Sequence, residues 1–454
     1  MGRTVSTGEV GAIVAPVLLF ITLALGGGGS PAPFPELLLQ ILTALAFCWW
    51  LHRTPRALAD VPSGAWWIAG LVAALHLLQL LPLPPAIWHV LPGRSSEVAA
   101  LQLVGAELEW RPLSLSPPRT IASLLCALCA LALLLMTATL GSAARWRLIG
   151  IVAISGAITL VLGTAQIKAE SGSFLHFYNP AQVWLTGFFA NRNSAADLLL
   201  VALIAWAAVA GRFRTLVPSP LSFAAMLIVV DLALLTGLFL TGSRAGIALA
   251  PIVLIAQFLI LRSGSRSLIV ALTFGATSAA AVLAAYLSGL RTSRVIALVI
   301  ERFTLQGEFR PELWRDAAFA LMRYWPFGSG QGTFVPVMIA AERLEVVDPA
   351  FPNRAHNDFL ELAIEGGLPG LLVLTLAGTI LIKAARATWR KAGPDTKVQT
   401  TFALATLLVL ILHSLVDYPL RSMALAGVAA VAAGMLFPPN AARPGSSGSR
   451  KFES

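Results

Sequence analysis

The chain has 454 residues, of which 57% are hydrophobic and only 12% are charged, and its formal net charge is +10. Soluble domains carry roughly 25% charged residues, so this composition excludes an ordinary soluble protein and indicates a polytopic membrane protein. The cations are spread over many loops rather than gathered in one patch, which excludes a nucleic-acid-binding surface as the source of the positive charge.

Apolar runs of about 20 residues, each long enough to cross a bilayer as a helix, recur along the whole chain. They predict an all-α fold with twelve transmembrane helices in a single domain, 1–437, followed by a disordered cytoplasmic tail, 438–454. The first run follows Arg3 as in a signal peptide, but no small-x-small cleavage site follows it, so a retained helix is favoured. The predicted spans are 10–27, 34–51, 65–83, 120–140, 148–167, 194–211, 221–240, 245–261, 268–289, 366–385, 398–416 and 421–437.

The distribution of positive charge predicts the orientation of these spans. Thirteen Lys and Arg residues, against two Asp, lie in the short loops 52–64, 141–147, 212–220, 262–267 and 383–397. By the positive-inside rule, these loops and both termini are predicted to be cytoplasmic. The longest loop, 290–360, then faces outward, and the pattern at 312–325 predicts a short helix within it.

Four arginines in the outward segments are candidates for binding a phosphate-bearing ligand. They are Arg192, Arg244, Arg310 and Arg315. Guanidinium groups bind phosphate oxygens in a bidentate manner and stay charged, which favours arginine over lysine at such a site. Arg192 and Arg244 lie in polar turns at the mouths of predicted spans, where helix N-termini also favour anions. Snorkelling to the membrane interface, or pairing with acids of the loops, is the alternative for each arginine.

His356 opens a polar segment immediately before a predicted apolar helix. Imidazole ionises close to neutral pH and is therefore the side chain best suited to move a proton there. Asn357 follows it as a candidate supporting residue. The alternative is a surface histidine in front of a helix cap formed by Asp358 and Glu361.

His413 and Asp417 are a second candidate set of polar residues. Their i, i+4 spacing near the outer end of a predicted span places them on one helix face, where they can form a hydrogen bond. An ionisable pair within a membrane is a candidate functional site, and a structural lock between helices is the alternative.

Several motifs of other protein classes are missing. The sequence contains no Asp-x-Asp and no His, Cys and carboxylate cluster with metal-ligand spacing, so no metal and no cofactor are predicted. The glycine-rich segment 328–332 lacks the Gly-Lys-Ser/Thr ending of a P-loop and is interpreted as a flexible turn. Cys126 and Cys129 have no second pair beside them and are interpreted as buried small residues.

The second half of the chain, about 187–420, resembles the O-antigen ligase and polymerase family of bacterial envelope glycosyltransferases. The most specific motif is His356-Asn357, followed after nine residues by Gly367-Leu368-Pro369-Gly370. The first 186 residues resemble the family only in being hydrophobic and multi-spanning. The other motifs, in chain order, are FANRN at 189–193, TGSRAG at 241–246, Arg310 with Trp314 and PFGSGQG at 326–332, and HSLVD at 413–417.

This resemblance implies a metal-independent glycosyltransferase of the bacterial inner membrane that takes a glycan from undecaprenyl diphosphate at the periplasmic face. It implies that His356 prepares the acceptor hydroxyl and that the arginines bind the diphosphate. Direct displacement at the anomeric carbon would invert the configuration of the sugar. Lipid A–core is the favoured acceptor, as in the ligases of the family.

Other functions remain open from the sequence. An O-antigen or exopolysaccharide polymerase of the same family uses the same chemistry on a growing glycan, and a protein-glycosylating transferase is a third possibility. A secondary transporter or lipid flippase also has many spans, but it predicts charged or broken positions near the middle of the membrane. Here the polar residues concentrate at the outer mouths of the spans and in one outward loop.

Overall fold

The computed structural model describes residues 7–28, 33–179, 183–261, 301, 310–345 and 352–439. These residues are mostly helical, which confirms the predicted all-α class. In chain order the helices are α1 (Thr7–Leu25), α2 (Pro33–Arg53), α3 (Ser63–Leu80), α4 (Pro85–Trp88), α5 (Ser95–Gln102), α6 (Pro117–Ala138), α7 (Ser142–Lys168), α8 (Arg192–Phe213), α9 (Pro220–Leu240), α10 (Arg244–Leu261), α11 (Arg310–Tyr324), α12 (Phe334–Ile339), α13 (Asp358–Lys391), α14 (Pro394–His413) and α15 (Met423–Met435).

Nine helices in the described ranges are long and apolar enough to cross a membrane. They are α2, α3, α6, α7, α8, α9, α10, α13 and α14, while α1 and α15 contain shorter apolar helices. Eleven predicted spans therefore coincide with apolar helices. The predicted span 268–289 lies outside the described residues, as does most of the predicted tail, so the count of twelve stays a prediction.

Helix α8 lies at the centre of the bundle, with α7, α9, α10 and α14 packed around it. Every residue from Ser194 to Ala205 is buried. Small residues let the neighbouring helices approach closely, since a Cβ atom on Gly156 of α7 would lie only 2.2 Å from Cβ of Ala202. Close contact at small residues is a main source of helix association within a membrane. The packing fixes the first turn of α8, which begins at Arg192.

The cation-rich loops gather at one end of this bundle. Arg145 Nη1 donates to the carbonyl oxygens of Met435 and Phe437 at 3.0 and 2.9 Å, which ties the start of α7 to the end of α15. Arg212 near the end of α8 pairs with Asp395 at the start of α14, at 3.2 Å. The candidate histidines and arginines lie at the helix ends on the opposite side of the bundle.

Two short strands and the helices of the outward segments form a layer over that opposite end. Strands β1 (Pro82–Leu83) and β2 (Arg111–Pro112) pair in antiparallel register. Helices α11 and α12 pack on one another around buried residues such as Phe334. The predicted helix at 312–325 is thus present as α11, with its start two residues earlier.

Helix α13 is kinked at Gly367, where the backbone has φ +59°. A Cβ atom at this position would lie 2.2 Å from the carbonyl oxygen of Pro326. The N–H of Leu368 donates to that same oxygen at 2.8 Å. Glycine is required here both by the left-handed backbone and by the close approach of another chain segment.

The glycine-rich segment 328–332 is that crossing segment. The N–H groups of Ser329 and Gly330 donate to the carbonyl oxygens of Ile364 and Glu365, at 3.0 and 2.9 Å. These carbonyls are left without their usual helical partners by the kink of α13. The interpretation of 328–332 as a flexible turn is therefore wrong, because its backbone is bonded to the kink and packed into the protein.

We expect Gly367→Ala to lower the free energy of unfolding by at least about 1–3 kcal/mol, the cost of a strained backbone conformation. Steric overlap with Pro326 would add to this cost. Gly378→Ala is the matched control, because a Cβ atom there would meet no atom within 4 Å. The midpoint of thermal unfolding in detergent measures both variants. Equal midpoints for the two would contradict the role assigned to the kink.

Candidate active site

His356 and Asp417 form a hydrogen-bonded pair. Nδ1 of His356 lies 2.8 Å from Oδ1 of Asp417, and the imidazole packs edge-on against the ring of Tyr418. The His356 side chain is 16% exposed and that of Asp417 only 2%, so the pair lies at the boundary of the interior. In the neutral ring, a carboxylate beside Nδ1 favours the tautomer with its proton on Nδ1 and its lone pair on Nε2. His356 is thereby suited to accept a proton at Nε2.

The backbone of His356 is held in an unusual conformation. Among the described residues, it is the one non-glycine residue with a positive φ, +48°. Such strain is often found at functional sites, where neighbouring contacts maintain it. Here Asn357 caps α13, since its Oδ1 accepts the N–H of Leu360, and its Nδ2 donates to the Leu415 carbonyl, both at 3.0 Å. The residue that caps α13 is therefore Asn357, and not the pair Asp358 and Glu361 of the alternative interpretation.

Asp417 is held in turn by the sequence motif at 189–193. Asn191 Nδ2 donates to Asp417 Oδ2 at 3.3 Å, and the side chain of Asn193 also bonds this carboxylate. Burial raises the pKa of Asp417, but the hydrogen bond from His356, the charges of His413 and His356, and the bond from Asn193 together lower it below its ordinary value. Asp417 is therefore ionised at neutral pH.

Tyr418 closes the other side of the His356 ring. Burial, together with the negative charge of Asp417, raises the pKa of Tyr418 to about 12. The phenol is therefore neutral at neutral pH and presents an uncharged ring edge to the imidazole. Its ring and that of His356 have centroids 4.9 Å apart and are inclined by 70°.

His413 belongs to a second buried pair. Its Nδ1 lies 2.6 Å from Oδ1 of Asp197 in α8, and both side chains are almost fully buried. The side-chain hydrogen bond predicted between His413 and Asp417 is not formed, because α14 ends at His413 and the loop beyond directs Asp417 to His356. The His413–Asp197 pair links α14 to α8 and lies next to the catalytic candidate.

Arg192 and Arg244 each begin a helix, α8 and α10 respectively. The guanidinium of Arg192 lies over the ring of Trp184, 4.8 Å from its centroid. The same ring packs on the turn before Arg244, since a Cβ atom on Gly242 would lie 2.5 Å from it. Trp184 therefore connects the two turns that carry these cations.

Arg310 and Arg315 lie on α11, with different surroundings. Arg310 begins the helix and is close enough for its charge to act on His413. Trp314 ties the same helix to the histidine segment, because its Nε1 donates to the Ala355 carbonyl at 2.9 Å. Arg315 is exposed on the surface. The structure therefore brings Arg310 towards the histidine pairs but leaves Arg315 apart.

A buried cluster of charges lies directly behind the histidine segment. Arg421 Nη1 donates to Glu365 at 2.8 Å, and its Nε lies 3.4 Å from Glu361 and 3.5 Å from Asp358. Arg354 Nη1 donates to Glu361 at 3.0 Å. Burial lowers the pKa of Arg421, but the carboxylates of Glu361, Glu365 and Asp358 raise it more, to above its ordinary value. Arg421 is therefore a permanent cation between the two segments.

The chain segment that carries Asp417 and Arg421, here the 414–422 loop, docks on the start of α13. The N–H of Asp358 donates to the Ser414 carbonyl, and the Ser414 hydroxyl donates to the Asp358 carboxylate, both at 2.9 Å. The N–H of Leu420 donates to the same carboxylate at 3.1 Å. These bonds fix the position of Asp417 relative to His356.

Sequence reasoning missed several of these residues, although two signals point to them. Asp197 is an acid inside a predicted span, and ionisable residues within a membrane are candidate functional residues by default. Asp358, Glu361 and Glu365 are spaced i, i+3, i+7, which places three acids on one face of a helix. The partner of that acidic face, Arg421, comes from a distant loop and has no local signal.

The arrangement combines one proton acceptor with several fixed cations. The structure places the His356–Asp417 pair at the same end of the bundle as Arg192, Arg244 and Arg310. Within the described ranges, no group of three or more His, Cys, Asp or Glu side chains is arranged to hold a metal ion. Such a set can deprotonate a hydroxyl and stabilise negative charge on a phosphate group.

Comparison with known proteins gave a match for part of the second half of the chain. Residues 229–375 match the family model described as O-antigen ligase, a stretch that contains Arg244, Arg310 and His356 and ends within α13. Arg192 and Asp417 lie outside the matched stretch. Comparison with curated proteins gave no significant match. The apolar helices are those of a multi-pass membrane protein, and residues 229–375 of the chain are similar to the O-antigen ligase family.

Proposed function

We propose that the protein transfers a glycan from undecaprenyl diphosphate to an acceptor hydroxyl, with lipid A–core as the favoured acceptor. The observation that carries the proposal is the His356–Asp417 pair, with 2.8 Å between Nδ1 and Oδ1. It lies at the end of the bundle where Arg192, Arg244 and Arg310 each begin a helix. The similarity of residues 229–375 to the O-antigen ligase family supports a lipid-linked glycan as the donor.

In the proposed reaction, Nε2 of His356 accepts the proton of the acceptor hydroxyl while that oxygen attacks the anomeric carbon of the donor. The bond between this carbon and the diphosphate oxygen breaks, and its electron pair leaves with undecaprenyl diphosphate. This direct displacement inverts the anomeric configuration. Asp417 stabilises the imidazolium that forms, because it is ionised and bonded to Nδ1.

The arginines stabilise the leaving group in this proposal. Negative charge develops on the diphosphate in the transition state, and cations already fixed in place interact with it without reorganisation. Arg192 is fixed by Trp184, and Arg244 and Arg310 occupy helix N-termini, where the backbone also favours anions. Arg315 is a weaker candidate because it is exposed on α11.

We place the reaction at the periplasmic face of the inner membrane, with both termini in the cytoplasm. The cation-rich loops lie at the end of the bundle opposite His356, and the positive-inside rule assigns such loops to the cytoplasm. A polymerase of the same family uses identical chemistry and is the main alternative. The His-Asn-x9-Gly-x-x-Gly spacing favours the ligase.

We expect His356→Ala to reduce glycan transfer by roughly 10²–10⁴-fold, the usual contribution of a general base. The matched control is His52→Ala, because His52 is exposed in the last turn of α2, at the end of the bundle away from His356. Each variant is expressed in a strain that lacks the gene, and lipopolysaccharide is separated on gels. Correctly inserted His356→Ala protein that transfers at the wild-type rate would remove His356 from the catalytic role.

The strain that lacks the gene identifies the acceptor in the same experiment. Loss of all long-chain lipopolysaccharide, with accumulation of lipid-linked polymer, would support the ligase. Survival of lipopolysaccharide with a single repeat would instead indicate a polymerase. An unchanged ladder with loss of exopolysaccharide would indicate a polymerase that acts on another glycan.

We expect Asp417→Asn to lower the transfer rate by roughly 10²–10⁴-fold, because the base would be held in the wrong tautomer. Asn191 donates to one oxygen of Asp417, so an amide would direct its oxygen there and its NH₂ to Nδ1 of His356. The imidazole proton would then move to Nε2.

The pH dependence of transfer provides the second measurement. Since the pKa of Asp417 is lowered, its carboxylate stays ionised over the range where imidazoles ordinarily titrate. The ionised Asp417 carboxylate therefore keeps its hydrogen bond to His356 as pH falls below the ordinary aspartate pKa. This interaction is lost only when pH falls below the lowered pKa that Asp417 has in the folded protein. Wild-type activity should therefore show no loss from Asp417 at its ordinary pKa, and Asp417→Asn should stay low at every pH. Recovery of the variant at high pH would contradict the tautomer argument.

We expect Arg244→Lys to reduce the stabilisation of the transition state by about 1.5–3 kcal/mol, which is the usual contribution of a hydrogen bond to a charged group. Lysine keeps the charge but loses the bidentate geometry for phosphate oxygens. Kinetics with a lipid-linked donor in vesicles measure the change, and Arg147→Lys at the opposite end of the bundle is the control. Unchanged donor affinity and rate would exclude bidentate binding by Arg244.

A further inference from the structure

The segment 84–110, which contains α4 and α5, belongs to the outward layer and has an inverted polarity. Its apolar side chains are its most exposed ones, with Leu103 88% exposed, Val90 78% and Val104 74%. The guanidinium of Arg94 is instead inside, since this residue is only 2% exposed. A surface that meets water normally has charged groups outside and does not show apolar residues in a cluster. The outer face of the segment therefore suits an apolar surrounding.

The polar groups of the segment are bonded within it and at its base. Trp88 Nε1 donates to the Glu109 carbonyl oxygen at 3.0 Å, and Arg94 Nη2 donates to the Pro112 carbonyl oxygen at 3.1 Å. The Arg94 guanidinium also pairs with Glu97. These contacts close the segment into an ordered loop. Its apolar outer face is therefore part of a folded unit.

Contacts within this loop bring the exposed apolar positions together. Nε2 of His89 lies 2.7 Å from the carbonyl oxygen of Glu107, so the chain at Val90 lies next to the chain at Leu108. The exposed turn 103–105, directly after α5, leads into the same region along the chain. Every residue of α5 itself is at least partly exposed. The apolar side chains thus form one outer face, which is named the 84–110 face below.

The position of this face in the molecule indicates what covers it. The segment connects two membrane-spanning helices, since α3 ends at Leu80 and α6 begins at Pro117, and the pairing of β1 with β2 holds the two connections side by side. Exposed apolar side chains run along the end of α3 and continue into the segment without a polar break. They are Leu77, Leu78, Leu81, Ile87 and Val90. The surface that meets lipid along α3 therefore continues onto the 84–110 face.

The depth of the segment follows from its backbone and from Trp110. Irregular backbone exposed to lipid does not occur within the hydrocarbon of a bilayer, because its polar groups would lack partners. Trp110 is exposed, and tryptophan is enriched where headgroups meet the acyl chains. The neighbouring Glu109 side chain is exposed as well, and a carboxylate belongs on the water side of that boundary. The segment therefore fits the headgroup region.

We propose that the 84–110 face lies on the outer leaflet of the membrane that the helices span, with Val90, Leu103, Val104 and Leu108 among the lipid headgroups. Its partner is thus the phospholipid surface. The proposal depends on the chain being a membrane protein and not on the transfer of a glycan.

This contact also sets the height of α11 above the membrane. Arg323 Nη2 in the last turn of α11 donates to Ser96 Oγ of α5 at 3.2 Å. Gly93, just before α5, packs on the ring of Tyr324, where a Cβ atom would overlap that ring. Because α11 begins at Arg310, a segment fixed on the leaflet keeps this candidate arginine close to the level of lipid phosphates.

The test uses a fluorescent label on Val104→Cys in the full-length protein, with Cys48→Ser to remove the exposed native thiol. The protein is placed, one copy per disc, in lipid nanodiscs of phosphatidylethanolamine and phosphatidylglycerol. We expect lipids that carry a nitroxide near the headgroup to quench the label strongly and aqueous iodide to quench it weakly. The control is Glu312→Cys, an exposed acidic position on α11, where iodide should quench more than the lipids do.

A second variant tests whether the apolar side chains hold the segment on the leaflet. Leu103→Glu combined with Leu108→Glu should reduce quenching by the lipids and increase quenching by iodide at position 104. Both leucines are exposed, so the fold is kept, and the midpoint of thermal unfolding checks this. Unchanged quenching by the lipids in this variant would overturn the proposal.

Two further outcomes would overturn it and would identify another surrounding. Iodide quenching at position 104 as strong as at position 312, in discs with one copy and with two copies, would show that the face meets water. Strong iodide quenching that disappears only in discs with two copies would show that a second copy of the chain covers it. Loss of glycan transfer in any variant would bear on the proposed function and would leave the quenching pattern unaffected.

Discussion

The docking of the 414–422 loop on the first turns of α13 is the interaction on which the rest of the site depends. Asp358 bonds Ser414 and Leu420 of the loop, and between these two points Asp417 reaches His356. The two members of the pair are 61 residues apart in the chain, so the site exists only when the bundle is assembled. Because the loop joins α14 to α15, this one contact positions three helices around the imidazole.

The buried charges at this contact select its geometry more than they stabilise it. A buried ion pair often contributes little net stability, since desolvation offsets the attraction, but an uncompensated buried charge costs about 3–5 kcal/mol. Arg421 meets three carboxylates that lie on one face of α13 at spacing i, i+3, i+7. A shift of one residue would rotate that face away and leave Glu361 and Glu365 buried without their partner. The cluster therefore allows one register, and that register places Asp417 at His356.

The sequence predicts the local features of this protein well and its long-range pairs poorly. Apolar runs identify membrane spans because every helix that crosses the bilayer must be apolar along its length. Eleven of the predicted spans coincide with apolar helices in the described ranges. The predicted hydrogen bond between His413 and Asp417 was wrong because a sequence shows only local spacing. In the structure, His413 pairs with Asp197 and Asp417 pairs with His356, each from another element. The spacing from His356 to Gly367 was recognised as a pattern. The reason for this spacing is the kink of α13 at Gly367. The kink could not be predicted without knowing that the segment 328–332 crosses the helix there.

The glycine-rich segment 328–332 joins the two halves of the chain. Besides its bonds to the kink of α13, it contacts the start of α6, where a Cβ atom on Gly332 would lie 2.7 Å from the Arg119 carbonyl oxygen. Gln331 and Gly332 of this segment line a cavity of about 960 Å³ together with residues of α2, α3 and α6. The first half of the chain, which carries no family motif, thus lines the space next to the catalytic candidate.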